Sequence, residues 1–146
     1  MNLKENYQKN IVKKTISIIL LAIYLIGCDL SNQRLTEKMI EKYSDDQNYV
    51  TLNGEVIEIN ENEAIIKCEE LNDYISYEDD LCDYYIYSDQ FIELEYGDEI
   101  EFTTVPFHFY NGHKLPIVEL KKDGKTLLSF DEGKENLIDL VNTNFN

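Results

Sequence analysis

Short turns rather than helices connect the apolar runs in the middle of this chain, and this limits the folds that it can adopt. The dipeptides Asn111-Gly112 and Asp123-Gly124 have the composition of two-residue β-hairpin turns. They separate three predicted strands, Ile100–Tyr110, His113–Lys122 and Lys125–Phe130. Because the turns leave no room for a crossover helix, these strands are predicted to be antiparallel neighbours.

The first predicted strand changes phase part of the way along. Apolar residues or glycine occupy the even positions from Val50 to Val56, and apolar residues then continue at Ile57 and Ile59. This shift indicates a β-bulge or a bend, which Gly54 can accommodate. Asn53-Gly54 is alternatively a hairpin turn, but the strand before such a turn would be only four residues long. We therefore favour the bend.

Two further strands follow, over Ala64–Cys68 and Leu81–Tyr87, and a turn at Asn60–Glu63 precedes the first of them. Short helices are predicted at both ends of the domain. The first lies between residues 29 and 48, and the second is capped by Asp131. The apolar stripe of the first helix consists of Leu35, Met39, Ile40 and Tyr43.

The pattern Val50-x-Leu52-x-Gly54-x-Val56-x-x-Ile59, with the later Gly97-Asp98-Glu99-Ile100-Glu101-Phe102, resembles the strands of OB-fold barrels. The resemblance implies a mainly β fold, namely a small five- to six-stranded antiparallel barrel with short N- and C-terminal helices. The helix that such barrels usually carry between strands three and four has no room in 88–96. A small sandwich or another type of barrel is the alternative.

The N-terminal region has the three zones of an export signal. It starts with lysines, continues as an almost unbroken apolar run over Ile16–Ile26, and ends in Leu25-Ile26-Gly27-Cys28. The run fits the roughly 7–15 apolar residues of a signal peptide better than the ~20 that span a bilayer. The final tetrapeptide resembles the lipobox of bacterial lipoproteins. An uncleaved signal anchor with an incidental cysteine is the alternative.

The lipoprotein resemblance implies cleavage before Cys28 and attachment of a diacylglyceryl group to its sulfur, with acyl chains such as palmitate. Two acyl chains hold a protein stably on a membrane where one chain does not. We therefore expect a lipid-anchored protein on the extracytoplasmic face of the cell membrane. The expected organisation is a signal peptide at 1–27, a tether and short helix at 28–48, a β-barrel domain at 49–130, and a C-terminal helix and tail at 131–146.

The chain is strongly acidic, and this excludes one class of partner. Its 13 basic and 29 acidic residues give a formal net charge of −16, and loss of residues 1–27, with four lysines and one glutamate, moves the charge to −19. Such a field repels phosphate backbones and anionic lipid headgroups. We expect no nucleic-acid partner and a membrane contact made through the lipid. An acidic surface attracts basic partners, although a solvated face is its commonest meaning.

Two cysteines remain once Cys28 carries the lipid. Cys68 ends the second strand and Cys82 lies at the start of the third, so antiparallel pairing places them near the same end of that pair. An exported domain permits disulfides, and closure of this loop of 15 residues would contribute about 3 kcal/mol in the chain-entropy model. We predict a Cys68–Cys82 disulfide, with two buried thiols as the alternative.

The loop between these cysteines is rich in carboxylates, which are the ligands that Ca²⁺ prefers. Its spacing matches no known calcium loop, and it lacks the glycine and terminal glutamate of an EF-hand. We therefore expect a solvated acidic loop and no resident metal. The calcium ligands that it would offer are Glu78, Asp79, Asp80 and Asp83.

Aromatic residues concentrate on the third strand and near the Asn111-Gly112 turn. A two-residue turn there places Tyr110 opposite His113 and puts His108 diagonally on the same sheet face. This set would suit a transition metal with a nearby carboxylate, a contact patch or ordinary cross-strand packing. Tyrosine is enriched at recognition surfaces but also favours strands. The predicted ligand-contact residues are Tyr84, Tyr85, Tyr87, His108, Tyr110 and His113.

Motifs for catalysis or for cofactors are absent from the sequence. It has no serine-centred nucleophile motif, no phosphate-cradling glycine loop and no zinc ligand set, and its carboxylates are too many to identify an acid/base pair. We predict a non-enzymatic, cofactor-free binding module for a protein, peptide or glycan. The alternatives are an immunity or inhibitor lipoprotein that uses its acidic surface against a basic toxin or enzyme, and a carboxylate-dependent hydrolase.

Overall fold

The computed structural model describes residues 33–75, 78–106 and 114–145. A first helix, α1, covers 33–44, and a second, α2, covers Phe130–Phe145. The strands between them are β1 (Val50–Asn60), β2 (Glu63–Lys67), β3 (Leu81–Ile86), β4 (Glu99–Thr104), β5 (Leu115–Lys122) and β6 (Lys125–Leu128). Within these ranges, no helix has both the length and the apolarity that crossing a membrane requires.

Five of the strands close into a barrel. They are hydrogen-bonded in the order β3-β2-β1-β4-β5, and β5 returns to pair with β3, where Leu115 lies opposite Tyr84. The sixth strand pairs with β5 outside the closed barrel. The predicted mainly β barrel with two terminal helices is therefore confirmed. One feature differs, because the β3–β5 pair is parallel whereas the other pairs are antiparallel. The whole of β4 lies between β3 and β5 in sequence, so no hairpin forces them to be antiparallel.

The long first strand contains the predicted bulge. Val56 pairs with Ile66 and Glu58 pairs with Ile65, so Ile57 is the extra residue that shifts the alternation. The strand runs without interruption through Asn53-Gly54, so that dipeptide is not a hairpin turn.

The absence of a side chain at Gly54 lets β2 and β4 lie close to β1. A Cβ at this position would lie 2.5 Å from Cγ2 of Ile66 and 2.9 Å from the carbonyl oxygen of Lys67. Both distances are shorter than van der Waals contact, and Gly54 is itself buried. Only a residue without a side chain fits between β2 and β4 at this point.

Strand ends and turns differ in part from those predicted. The Asp123-Gly124 turn is confirmed, because both residues have positive φ (52° and 75°) and Lys122 pairs with Lys125 across it. β4 ends at Thr104, six residues before the predicted end. The predicted Asn111-Gly112 turn lies outside the described residues.

The described residues form two apolar cores, one inside the barrel and one between the barrel and the helices. The inner core is built around Phe102, whose ring centroid lies 5.0 Å from that of Tyr84 in an edge-on arrangement. The outer core joins Met39 and Tyr43 of α1, Leu137 and Val141 of α2, and Val105 and Val118 from the barrel wall. β5 is therefore buried on both faces, which accounts for its nearly continuous apolar sequence.

Both helices pack on the barrel through apolar side chains. The predicted α1 stripe is confirmed, since Met39 and Tyr43 are buried and Leu35 and Ile40 pack against them. The second helix begins at Phe130, so Asp131 lies in its first turn and is not the cap. Lys134 of α2 binds the carbonyl oxygen of Ser44 at 2.9 Å and joins the end of α1 to α2.

Candidate functional site

The solvent-facing side of β1, β2 and β3, called here the outer face, is the part of the barrel wall that the helices leave uncovered. Strand alternation sets its composition, because the core-facing residues of β2 and β3 are buried while their neighbours point outward. Cross-strand pairs bring Glu63 beside Tyr85 and Ile65 beside Asp83. The β1 bulge turns Glu58 toward the same side.

The first of two grooves on this face, the strand groove, has a volume of about 230 Å³. It is lined mainly by Glu58, Asn60, Glu63, Ile65, Asp83 and Lys114. The Nζ of Lys114 lies 2.5 Å from a carboxylate oxygen of Glu63, and both side chains are partly exposed. Three carboxylates and a single ammonium group give this groove a net negative charge.

The second groove, the aromatic groove, is larger, with a volume of about 670 Å³. Its lining includes Asn60, Glu61, Glu63, Tyr85, Asp89 and Phe91. The ring of Phe91 is 77 % exposed, the highest value among the large apolar side chains that the structure leaves accessible. Asn60 and Glu63 line both grooves, so the two form one continuous surface.

Backbone geometry at the β1–β2 turn holds these side chains in place. Asn60 pairs with Glu63 across the turn, and Glu61 takes a φ of 54°. The carbonyl oxygen of Asn62 accepts a hydrogen bond from the Ile86 amide at 2.7 Å, and its Nδ2 donates to the carbonyl oxygen of Ser88 at 3.2 Å. These two bonds fix the turn against the chain that leaves β3.

The three tyrosines predicted as ligand contacts on the third strand have different surroundings. Tyr84 is fully buried and packs on Phe102, although it also lies at the floor of the strand groove, so its role as a contact residue stays a prediction. Tyr87 is partly buried and packs against the outer core, beneath the helices. Tyr85 faces outward into the aromatic groove. Alternation along β3 explains the contrast between Tyr84 and Tyr85, because adjacent residues of a strand point to opposite faces.

The predicted His108, Tyr110 and His113 set lies outside the described residues. Acidic residues of the predicted calcium loop do not gather into a site: among the described residues, no group of three or more His, Cys, Asp and Glu side chains could hold a metal ion. Asp83 points onto the outer face, opposite Ile65, while Asp80 accepts a hydrogen bond from the side-chain amide of Asn72. The side chain of Glu78 is not among those described.

The predicted Cys68–Cys82 disulfide is not present in the structure, in which both cysteines are buried thiols. Cys82 pairs with Ile66, and the Cys68 amide bonds to the carbonyl of Asp80, so the two cysteines are diagonal rather than opposite. Diagonal neighbours are about 7–8 Å apart, which is too far for a disulfide without backbone movement. Burial also raises the pKa of the Cys68 thiol.

Phe91 is the site residue that the sequence patterns did not identify. It precedes Ile92 in a segment that was too short for a helix and was not predicted to be a strand. One sequence signal was present, since Phe91, Glu93 and Glu95 alternate with Ile92 and Leu94. With Ile92 and Leu94 in the core, that alternation places Phe91 on the solvent side.

The site offers carboxylates, aromatic rings and apolar patches, and these suit recognition of cationic and apolar groups. Carboxylates accept charge-assisted hydrogen bonds from ammonium or guanidinium groups. The faces of Tyr85 and Phe91 can receive apolar groups or cations.

Comparisons with known proteins find distant structural similarity only. No protein-family model and no curated protein sequence matches the chain. The structure is similar to a crystal structure of Ag(I)CusF, with 15% identity, a TM-score of 0.38, and coverage of 51% of this chain and 97% of that one. It is also similar to apo-CusF from Escherichia coli, with 16% identity, a TM-score of 0.37, and coverage of 51% and 87% respectively.

Proposed function

We propose that this protein is a lipid-anchored, extracytoplasmic binding module that engages its partner through the outer face. The observation that carries the proposal is the continuous pair of grooves, which combines the exposed ring of Phe91 and the half-buried ring of Tyr85 with carboxylates on one side of the barrel. Neither groove lies under a helix. In this proposal the barrel displays a surface and performs no catalysis.

The lipid anchor is part of the proposal and rests on the sequence around Cys28. The described part of the chain begins with α1 at residue 33, five residues after this cysteine. Five residues span at most about 17 Å, so the anchor would hold the barrel close to the membrane. A partner near the membrane surface would therefore be within reach.

A Cys28→Ser variant tests the anchor. We expect the wild-type chain to incorporate radiolabelled palmitate and to sediment with membranes, whereas the variant should incorporate none. Retention of Cys28→Ser in the membrane with full processing would contradict lipid anchoring.

Site-specific photocrosslinking tests the binding face. A photoreactive amino acid at Asp83, on the outer face, should capture a defined partner in intact cells. The control carries the same group at Asp139, which is exposed on α2. Equal capture of the same partner from both positions would show that the outer face is not the binding surface.

An immunity or inhibitor role is a second candidate, and the negative balance of the strand groove favours it. A lipoprotein that neutralises a basic toxin or enzyme should bind more weakly as ionic strength rises. Recognition through the aromatic rings should instead change little between low and physiological salt. The salt dependence of the captured complex therefore separates the two roles.

A further inference from the structure

The segment that joins β3 to β4, residues 88–96, bends at 89–90 and enters a turn at 96, and between these points its side chains alternate as in a strand, although it does not belong to the sheet. Ile92 and Leu94 are each 6% exposed and belong to the inner core. Phe91, Glu93 and Glu95 lie between and beside them and are exposed. Because every second side chain is buried, the backbone between them is held in an extended course.

Hydrogen bonds hold both ends of this segment. At its start, the amide of Gln90 donates to Oγ of Ser88 at 3.1 Å. At its end, the amide of Glu95 donates to Oδ2 of Asp98 at 2.8 Å, and the Gly97 amide donates to the carbonyl oxygen of Val56 at 2.8 Å. These bonds fix the two ends of the segment against the barrel and the turns that flank it.

The backbone between these two ends has no hydrogen-bond partner among the described residues. From Phe91 to Leu94, no amide or carbonyl group forms a hydrogen bond within the described part of the chain. An extended chain with unpaired amides and carbonyls can pair with another extended chain, as the edge strand of a sheet does. We call residues 91–94 the free edge.

The negative charge around the free edge favours a cationic partner. Glu61 and Asp89 line the adjoining aromatic groove, Glu93 lies on the free edge itself, and none of the three forms an ion pair with a described residue. The described residues that line this groove include no basic side chain. The whole chain has a formal charge of −16, so its field adds to this local attraction.

We propose that the free edge docks an extended peptide segment bearing lysine or arginine, which pairs its backbone with residues 91–94 in β-strand fashion. The peptide places alternate side chains in the aromatic groove, where an apolar group packs on Phe91 and a cationic group meets Glu61 and Asp89. The inference rests on the proposed binding function and names its partner class.

A glycan fits this site less well than a peptide. A sugar ring can stack on Phe91 or Tyr85, but a neutral sugar gains no ionic contact with the carboxylates. Nor does a glycan offer the regular series of amides and carbonyls that an extended backbone edge requires. The unpaired backbone therefore favours a polypeptide.

Synthetic peptides test the proposal on the full chain in detergent. The probe is a fluorescent six-residue peptide of alternating lysine and valine, and its binding is measured by fluorescence anisotropy. Two matched peptides serve as comparisons: one N-methylated at alternate amides, which keeps the charge but blocks pairing, and one with glutamate in place of lysine. We expect the lysine-valine peptide to bind saturably. The N-methylated peptide and the glutamate peptide should each bind at least about tenfold more weakly.

Variants of the protein locate the site. Phe91→Ala should weaken binding of the lysine-valine peptide about tenfold, and Asp89→Asn should weaken it less and mainly at low salt. Tyr96→Ala is the matched control, because Tyr96 is 75% exposed in the same connection but does not line the aromatic groove. The control should bind like the wild type.

Several results would overturn the proposal. If the N-methylated peptide binds as tightly as the lysine-valine peptide, strand pairing is excluded. If Phe91→Ala and Tyr96→Ala lose the same amount of peptide affinity, the aromatic groove is excluded as the site. If no peptide binds at millimolar concentration, a cationic peptide is excluded as the partner class. Preferential binding of a neutral oligosaccharide would replace the peptide with a glycan as the partner, and Phe91-dependent dimerisation would replace it with a second copy of this chain. If crosslinking from Asp83 still captures a partner in those cases, the proposed function stands and only this inference fails.

Discussion

Gly133 of α2 lies directly against the backbone of Val118 on β5. A Cβ at Gly133 would stand 2.2 Å from the Val118 carbonyl oxygen and 2.7 Å from its Cα. The contact is between a helix backbone and a strand backbone, so neither side can yield by rotating a side chain. The absence of a side chain at Gly133 therefore determines how closely α2 approaches the barrel and how the outer core closes.

Gly133→Ala should lower the free energy of unfolding by about 3 kcal/mol, because the added methyl group forces α2 away from β5. Denaturant unfolding followed by circular dichroism measures the loss. Glu135→Ala, an exposed substitution in the same helix, is the control and should change stability by less than about 0.5 kcal/mol. Equal effects of the two substitutions would show that the contact does not limit packing.

The Asp98–Lys122 ion pair should make stability depend on pH in the acid range. The hydrogen bond from Lys122 at 2.6 Å, with that from the Glu95 amide, lowers the pKa of the Asp98 carboxyl. The unfolded chain therefore takes up this proton first, at about pH 4. The stabilisation is complete above that pH and is lost as the pH falls through the lower native pKa.

Asp98→Asn isolates this contribution from that of the other carboxylates. At pH 7 the variant should be less stable by about 1 kcal/mol, and the difference from wild type should shrink as the pH falls from 5 to about 2. Glu99→Gln, a neighbouring exposed carboxylate, is the control. A difference that stays constant over this range would exclude the ion pair as the cause.

Tyrosines beneath the helices should make the fold sensitive to alkali. Burial raises the pKa of Tyr87 to about 12 and moves those of Tyr43 and Tyr49 well above their usual range. The unfolded chain loses these protons near pH 10, before the native protein does. Stability is therefore complete below pH 10 and falls as the pH rises toward 12.

Tyr49→Phe tests this alkaline effect. The substitution removes the hydrogen bond from the Tyr49 hydroxyl to the carbonyl oxygen of Tyr43, at 2.7 Å, and should cost about 1 kcal/mol at pH 8. Its difference from wild type should narrow between pH 10 and 11, because the variant no longer carries that ionisable group. Urea unfolding at each pH measures both values. If the stability difference between Tyr49→Phe and the wild type widened as the pH rose, a raised pKa of Tyr49 would be contradicted.

Cys68 and Cys82 should behave as protected thiols. Because both are buried, neither should react with a thiol reagent in the native protein, and both should react after unfolding without reductant. A Cys28→Ser background removes the third cysteine from the count. Failure of both thiols to react in denaturant, reversed by a reductant, would show that they are joined after all.

Much of the barrel was predictable from local patterns. Apolar alternation and a phase change indicated the strands and the bulge in β1, and the Asp123-Gly124 turn follows from the preference of both residues for positive φ. The stripe on α1 likewise predicted which side of that helix is buried. These features depend on residues close together in sequence, so they can be predicted from the sequence alone.

The candidate site was harder to predict, since it depends on which strands meet. Tyr85 and Phe91 line one groove with residues of the β1–β2 turn. This groove forms only because that turn lies beside the chain leaving β3, a contact between segments distant in sequence. The same reason explains the disulfide error, because loop length cannot distinguish opposite from diagonal cysteines. Tyr84 and Tyr85 were grouped together because composition does not specify which face of the sheet is covered.

The sequence by itself determined the strand content, the acidity and the apolar face of the first helix, because periodicity and charge are local properties. Tertiary structure alone decided the parallel closure of β3 on β5, the lack of hydrogen bonds between the backbone of residues 91–94 and the rest of the described chain, and the position of Phe91 beside the β1–β2 turn. Each of these depends on which segments the closed barrel brings together and which it leaves without a neighbour. A closed barrel pairs its strands with one another, and the connection that covers one end of the core, residues 91–94, forms no backbone hydrogen bond with the described part of the chain.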